Sequence, residues 1–421
     1  MKLIKKYNET SFILRIIAGL AIGVILGLLM PGNTLIPILG KLFVGALKSM
    51  APILVFVLII ASLTQGNTGF DRRFSLVIIL YLASTLIAGM VAVAACFLFP
   101  LKVTLTDNAD VSSAPSGVGE VLKNLLLGMV SNPVDALSEA NYISILFWAV
   151  LLGIIFKSLA NEATKTVIND LSVAFSKLVS WVINLAPFGI MGLIYETISV
   201  SGMSIFIDYG KLLLLLVGTM LFVSLVINPV LVFLMIRTNP YPLVFRCLKE
   251  SGLMALFMRS SAANIPVNIA LCKKLGLDKD VYSVSIPLGS TINMDGAAVV
   301  ITIMTMTAAN TVGINVDLAS AIILSFLSTL AACGTSGVAG GSLLLIPMSC
   351  SLFGIPQDVS MQMVGVGYII NVIQDSFETA MNSSGDVLFT AAAEYNQWRK
   401  KGKSLPTFLG GTTKVGEEDT E

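Results

Sequence analysis

Residues 371–386 read NVIQDSFETAMNSSGD, from Asn371 to Asp386. Apolar and small residues flank the stretch, Met363 to Ile370 before it and Val387 to Ala393 after it. Inside it, Asn371, Asp375, Glu378, Asn382 and Asp386 follow one another at steps of 4, 3, 4 and 4 residues. At about 100° per residue these steps keep the polar groups within an arc of roughly 80°, one stripe of an α-helix. A charged group at the centre of a bilayer costs about 2.5–3.5 kcal/mol or more. Three carboxylates on one face therefore demand partners, if this helix lies in a membrane.

The rest of the chain says that it does. Of 421 residues, 55% are hydrophobic and 12% charged, against about 25% charged in a globular domain. That excludes a disordered protein, a nucleic-acid binder and an ordinary soluble enzyme. The net charge is +1, from 26 Lys and Arg against 25 Asp and Glu, and selects no polyanionic partner. There is no His, which removes imidazole metal sites, Ser-His and Cys-His catalysis, and histidine proton relays. Cys96, Cys247, Cys272, Cys333 and Cys350 stand apart in apolar context and read as core residues.

A membrane helix needs about 20 apolar residues. Spans are expected near 12–30, 35–64, 74–99, 121–156, 164–195 and 211–236. The first is too long for a signal peptide and is expected to be retained. Lys2, Lys5 and Lys6, then Arg72 and Arg73, then Lys157, Lys165 and Lys177, then Arg237, Arg246 and Lys249, and Arg399 to Lys401 fall in alternate connections. The intervening loops, 101–120 and 196–211, are poor in cations. Both termini are thus expected in the cytoplasm.

Two segments do not read as ordinary spans. Residues 247–272 are interrupted by Arg259-Ser260-Ser261-Ala262-Ala263-Asn264 and Pro266, and basic residues flank both ends. A hairpin entering from the cytoplasm keeps both basic clusters on one side. Residues 319–354 carry no charge, and their middle runs from Cys333 and Gly334 through Thr335, Val338 and Ala339 to Gly341 and Ser342. Asp317 and Asp358 flank them without a cation, so a second hairpin from the opposite side is expected. Each is followed by a span that reads as interrupted, 281–311 around Asn293-Met294-Asp295-Gly296, and 359–394. Hairpin plus broken helix, twice, is the layout of an inverted-repeat transporter with its site near the midplane. The fold class expected is an all-α polytopic membrane protein, with eight transmembrane helices and two oppositely oriented re-entrant hairpins. Asp295 adds a fourth acid, with Arg259 and Lys48 as the nearby cations, so mobile cations (sodium, protons or an amine on the substrate) are needed to complete the site. An arrangement of acids that share protons only to pack the bundle would not explain the Asn, Thr and Gly beside each of them.

At these motifs the sequence resembles the dicarboxylate/amino acid:cation symporter family. Arg259 to Pro266 is similar to its first hairpin tip, Asn293-Met294-Asp295-Gly296 to its signature, Gly334 to Gly341 to its second tip, and Asp375 to Asp386 to its last helix. The resemblance implies roles for individual residues. Ser261 and the hairpin-tip amides, with Asn382, would hold the substrate α-carboxylate, and Ser260 would line the substrate site. Asp375 would hold its amino group, with Thr379 and the carbonyls of Arg259 and Val338. One sodium would use Asp386 and the carbonyls of Gly289, Asn293 and Asn382. A second would lie between Thr291 and the carbonyls of Cys333 and Thr335. A third would use Asp295, Asn293, Tyr81, Ser84 and Thr85. The family also implies a homotrimer in a bacterial inner membrane, amid lipid. Its scaffold would be residues 1–72 and 121–200. Its moving part would be residues 73–120 and 201–397, travelling as an elevator, with residues 398–421 as a cytoplasmic tail.

The departures carry the specificity. Glu378 stands where members with acidic substrates have an Arg, and Ala297 where they have a Thr. An acid in place of a bidentate clamp repels a second carboxylate. The resemblance therefore implies sodium-coupled import of small neutral hydroxy amino acids, L-serine and L-threonine. Asn371 stands where some members carry an Asp, and Ala339 where the second tip usually has a Pro. The other readings are a proton-coupled or exchanging amino acid transporter, a cation channel lined by the acids, and an intramembrane enzyme using Asp295 with Asp375, or Ser261. The chain is expected not to be an enzyme, because no base is placed for Ser261 and the signature residues of intramembrane aspartyl proteases are absent.

Overall fold

In this computed structural model, residues 10, 12–64, 72–105, 118–202, 205–333 and 340–415 are described. The expected tip residues Gly334, Thr335, Val338 and Ala339 lie outside them. The chain is helical, and among the described residues the one β feature is an isolated bridge between Pro406 and Thr413.

The first helices are α1 (Phe12–Leu29), α2 (Ile36–Thr64) and α3 (Arg72–Leu98). The apolar stretch 121–156 is not one span. It forms α4 (Val118–Met129), α5 (Pro133–Ser138) and α6 (Tyr142–Leu159). The reason is local: Pro133 begins α5, and the side chains of Asn132 and Asn141 accept backbone N–H bonds as N-caps of α5 and α6. The stretch 164–195 likewise divides into α7 (Glu162–Asn184) and α8 (Ala186–Ser201), with Pro187 near the start of α8.

Then come α9 (Ile205–Phe222), a π turn (Val223–Ile227), α10 (Asn228–Ile236), α11 (Tyr241–Cys247), a second π turn (Leu248–Gly252) and α12 (Leu253–Met258). Arg259, in the left-handed region at φ 51°, ends α12, a conformation costing a non-glycine about 1–2 kcal/mol. The chain turns at Ser260–Asn264 and returns as α13 (Ile265–Lys274). Ser251 on the outgoing arm, Asn264 in the turn, Asn268 on the returning arm and Ser383 beyond them share one buried hydrogen-bond cluster. It stitches the two arms to each other and to the long helix behind.

Helix α14 (Lys279–Ile292) breaks at Asn293 and Met294, and α15 (Asp295–Thr311) continues it. Helix α16 (Leu318–Ala332) precedes a 3-10 turn (Gly341–Leu345) and α17 (Ile346–Ser351). Helix α18 (Gln357–Lys400) has 44 residues, about 66 Å at 1.5 Å per residue. It is unbroken, contrary to the interrupted span expected over 359–394. Its hydroxyls stay inside the helix: Ser376, Thr379 and Ser384 donate to the carbonyls four residues earlier, so no backbone bond is surrendered.

Helices α1, α2 and α6–α8 pack mainly on one another, and α3 with α9–α18 on one another. Among the described residues, six helices are long and apolar enough to cross a bilayer. Large apolar side chains such as Leu42, Ile79, Leu98 and Leu214 are exposed on them, as expected for a multi-pass membrane protein. Past α18, residues 401–415 fold back: Thr238 Oγ1 donates to the carbonyl of Leu409, and the Arg246 guanidinium lies over the Phe408 ring.

Candidate functional site

The stripe on α18 is buried along its length, Asn371, Asp375, Glu378, Asn382 and Asp386 alike. Each meets a different element. Asp375 accepts from Arg259 Nε at 2.7 Å and from the backbone N–H of Gly340 at 2.9 Å. One carboxylate thus ties the turn after α12 to the turn before α17. Gly340 has φ 71°, a geometry that suits glycine and lets its N–H face the acid. Arg259 also reaches the carbonyl of Asn371 at 3.5 Å.

One turn on, Glu378 accepts from Ser342 Oγ at 2.8 Å and from Gln374 Nε2. A Cβ on Gly296 would stand 2.9 Å from the Glu378 backbone, so only glycine lets α15 start this close to α18. Ala297, next to it, is fully buried. Thr379 Oγ1 is spent on the Asp375 carbonyl. Asn382 Oδ1 accepts from Gly296 N–H at 2.7 Å, and its Nδ2 lies 3.4 Å from Met294 Sδ.

The break between α14 and α15 fills with Asn293. Its Nδ2 donates to the carbonyl of Asn382 at 3.1 Å and to Asp386 Oδ1 at 3.0 Å. Gly289 and Gly385 make room: a Cβ would lie 2.7 Å from Asp386 Oδ1 at the one and 2.7 Å from Asn293 Nδ2 at the other. Asp295 begins α15 and is fully buried. Its Oδ1 accepts from Ser84 Oγ at 2.8 Å and Thr85 Oγ1 at 3.0 Å. Its Oδ2 accepts from Asn228 Nδ2 at 3.2 Å.

The expected residues fall into neighbouring groups, with some outside them. Asp295, Asn293, Ser84 and Thr85 are brought together. The Tyr81 hydroxyl is directed elsewhere, to the carbonyls of Ser285 and Asp386 and to Thr390; the Tyr81 carbonyl receives the Ser84 and Thr85 hydroxyls. Thr291 Oγ1 donates within its helix to Leu288, and Cys333 Sγ lies 3.7 Å from the carbonyl of Ile292 beside it. Ser260 Oγ accepts from Ala263 N–H, and buried Ser261 accepts at its carbonyl from Asn264 N–H. Lys48 is not among the acids. It pairs with Asp358 at 2.7 Å near the surface, because its helix packs against the other group.

Ser342, Gln374 and Asn228 join the cluster without having been singled out as candidates. Gln374 could have been found, since a side chain four residues before Glu378 shares its helical face. Asn228 is a polar residue in an otherwise apolar run, and nothing local says what it meets.

The donor count shows what the cluster lacks. Asp386 Oδ2, Asn371 Oδ1, Gln374 Oε1 and Asn228 Oδ1 are buried, and each has no hydrogen-bond partner among the described residues. A buried acceptor left unpaired costs about 1–3 kcal/mol. All four are acceptor oxygens that a donor or a cation could satisfy; the Tyr368 hydroxyl, near Gly340, is likewise buried without a partner among the described residues. Among the described residues no three His, Cys, Asp or Glu gather as a transition-metal site would require. Single carboxylates among neutral oxygens instead suit a hard, exchangeable monovalent cation.

A profile of the sodium:dicarboxylate symporter family matches residues 12–395. The chain belongs to that family. It is 58% identical to the serine/threonine transporter SstT of Bifidobacterium adolescentis over 403 residues, 96% of this chain and 94% of that one. It is 55% identical to the protein of the same name in Streptococcus thermophilus over 400 residues, 95% and 99% of the two chains. The counterpart in Streptococcus agalactiae is 54% identical over 401 residues, 95% and 100%. These relatives are named as transporters, and as a sodium:dicarboxylate symporter family member the chain is a membrane transporter and not an enzyme. The acid stripe of α18, the α14–α15 break and the turn after α12 all lie within the matched region.

Proposed function

We propose that the chain imports small neutral hydroxy amino acids, L-serine and L-threonine, driven by co-transported sodium. One observation carries this reading. Glu378, bonded to Ser342 and Gln374, stands where a cation would be needed to grip a second carboxylate. The cation of this cluster, Arg259, is already held by Asp375. A dicarboxylate would therefore be repelled, while a hydroxyl could donate to Glu378. The names of the relatives point the same way.

In this reading Ser261, the tip amides and Asn382 take the α-carboxylate, with Ser260 lining the substrate site. Asp375 takes the ammonium group beside Arg259, with Thr379 and the Val338 carbonyl. Sodium ions go to Asp386 with Gly289, Asn293 and Asn382, to Thr291 with Cys333 and Thr335, and to Asp295 with Asn293, Ser84, Thr85 and Tyr81. The unpaired oxygens support cation entry. Eight crossings and two re-entrant hairpins would place this cluster at mid-membrane, with both termini in the cytoplasm of a bacterial inner membrane. Residues 1–72 and 121–200 would form the scaffold of a homotrimer. Residues 73–120 and 201–397 would move as the elevator. Coupling follows if the second hairpin closes only over substrate and sodium together, since each then raises the affinity of the other.

Proteoliposomes test the proposal. Serine uptake should collapse when external sodium is replaced by choline. Uptake that is unchanged in choline but follows pH would instead establish proton coupling.

A further inference from the structure

Helix α9 carries Leu212, Leu216 and Met220 on its buried side, and the π turn and α10 continue the line with Ser224, Asn228, Val232 and Ile236. That line keeps a step of four residues throughout. An α-helix drifts by about 40° at every such step. The π turn at Val223–Ile227 takes in an extra residue immediately before Asn228 and offsets the drift there. Without it, a polar amide would swing toward the apolar surround. With it, Asn228 is buried, and its Nδ2 lies 3.2 Å from Asp295 Oδ2. The following residue, Pro229, has no N–H, so the irregular backbone also leaves one donor fewer to satisfy. π turns of this kind recur at functional sites.

The amide has a second property. Its Oδ1 is buried with no hydrogen-bond partner among the described residues. The groups around the Asp295 carboxylate are otherwise oxygens able to face a cation: Ser84 Oγ, Thr85 Oγ1 and, 3.3 Å from Ser84 Oγ, Asn293 Oδ1. Rotating the Asn228 carboxamide by half a turn exchanges Nδ2 for Oδ1 at the position beside Asp295. Such a rotation would give the same side chain a second role beside the acid. As it stands it donates to the carboxylate; turned over, it would offer a carbonyl oxygen to a cation there.

We propose that Asn228 is a direct ligand of the cation held by Asp295, and that the π turn between α9 and α10 exists to deliver it. The assignment rests on the sodium coupling proposed above. Asn228 adds an oxygen without adding charge, and it joins α9–α10 to an ion whose other ligands come from α3 and the α14–α15 break. Ion occupancy would then draw these three elements together.

The test is a sodium titration of the purified full chain, read by thermal unfolding, with choline holding ionic strength constant. Asn228→Leu, which fills the space without an oxygen, should raise the sodium concentration for half-maximal stabilisation about tenfold or more. Its unfolding temperature in choline alone should move much less. Asn228→Asp, which keeps an oxygen, should retain a sodium midpoint at or below that of the unsubstituted chain. An Asn228→Leu midpoint equal to that of the unsubstituted chain overturns the assignment alone. An unsubstituted chain that does not respond to sodium overturns the coupling and the assignment together. Should Asn228→Leu not fold, a structure of the unsubstituted chain with thallium in place of sodium decides: density within about 3 Å of Asn228 Oδ1 supports the ligand role, and density at Asp295 that leaves Asn228 out of reach refutes it.

Discussion

Along the seam between α1 and α8, Gly19, Gly23 and Gly27 bring two backbones together. A Cβ there would stand 2.2 Å from the Pro187 carbonyl oxygen, 2.6 Å from that of Met191 and 2.9 Å from Ile198 Cβ. The stripe along α18 is just as buried, yet it meets its neighbours through carboxylates, amides and hydroxyls. In lipid there is no hydrophobic force between helices, so the glycine seam adheres by close packing alone. It has nothing to exchange with a ligand and is at its minimum as it stands. The stripe holds buried oxygens without hydrogen-bond partners among the described residues, which under the proposed function a cation would complete. Under the proposed function the first region would stay fixed and the second would bind and release.

The comparison breaks most easily at the seam. Gly23→Leu should cost about 3 kcal/mol or more, because the opposing atom is backbone and cannot move aside. Gly210→Leu on α9, where a Cβ would meet nothing within 4 Å, should change stability by about 0.5 kcal/mol or less. Thermal unfolding of both in the same detergent checks this, and equal losses would deny the seam its special role. On the stripe, Asp375→Ala should abolish serine-induced stabilisation while the sodium response survives. It also strands Arg259, at a cost of about 3–5 kcal/mol. A paired Arg259→Met and Asp375→Leu variant should recover that stability without recovering serine binding; tight serine binding in either variant would remove Asp375 from the substrate site. A smaller gain is expected from Glu378→Arg with Ala297→Thr, which should let aspartate bind with a Kd of about 1 mM or better. Absence of aspartate binding there would count against the charge argument.

A small effect is expected at the start of α16. Asp317 caps α16, and hydrogen bonds from the Ser320 hydroxyl and backbone, and from Ala319 N–H, hold its carboxyl below the ordinary range. A lowered folded-state pKa stabilises at pH values above the unfolded value of about 3.9, and the benefit fades as pH falls through the folded one. Asp317→Ala should therefore cost about 1 kcal/mol near pH 7, and the difference should shrink below about pH 4. Unfolding curves at the two pH values check the sign.

The α18 stripe was legible because its geometry is local: a residue's azimuth on a helix depends only on its position. The same holds for the Asn293–Asp295 break and the turn after Arg259, where Gly, Pro and polar residues interrupt apolar runs. What misled were signals that look the same in two structures. Ser, Thr and Gly within 359–394 suggested a broken helix, but their hydroxyls turn inward on α18 and leave the ladder intact. Pro133 and the capping residues Asn132 and Asn141 were hidden inside an apolar stretch and divide it into three helices. Lys48 had a charge of the right sign in the wrong half of the molecule.

The amino-acid order alone thus determined the solvent, the helical face that carries the acids, and the motifs that place the chain in its family. These depend on hydropathy and on spacings of a few residues. The tertiary structure alone decided which oxygen meets which donor. Ser84 reaches Asp295 across 211 positions, Arg259 reaches Asp375 across 116, and Asn228 reaches Asp295 across 67. No local propensity encodes such pairs, because they exist only after separate helices have packed and turned their polar faces inward, away from lipid.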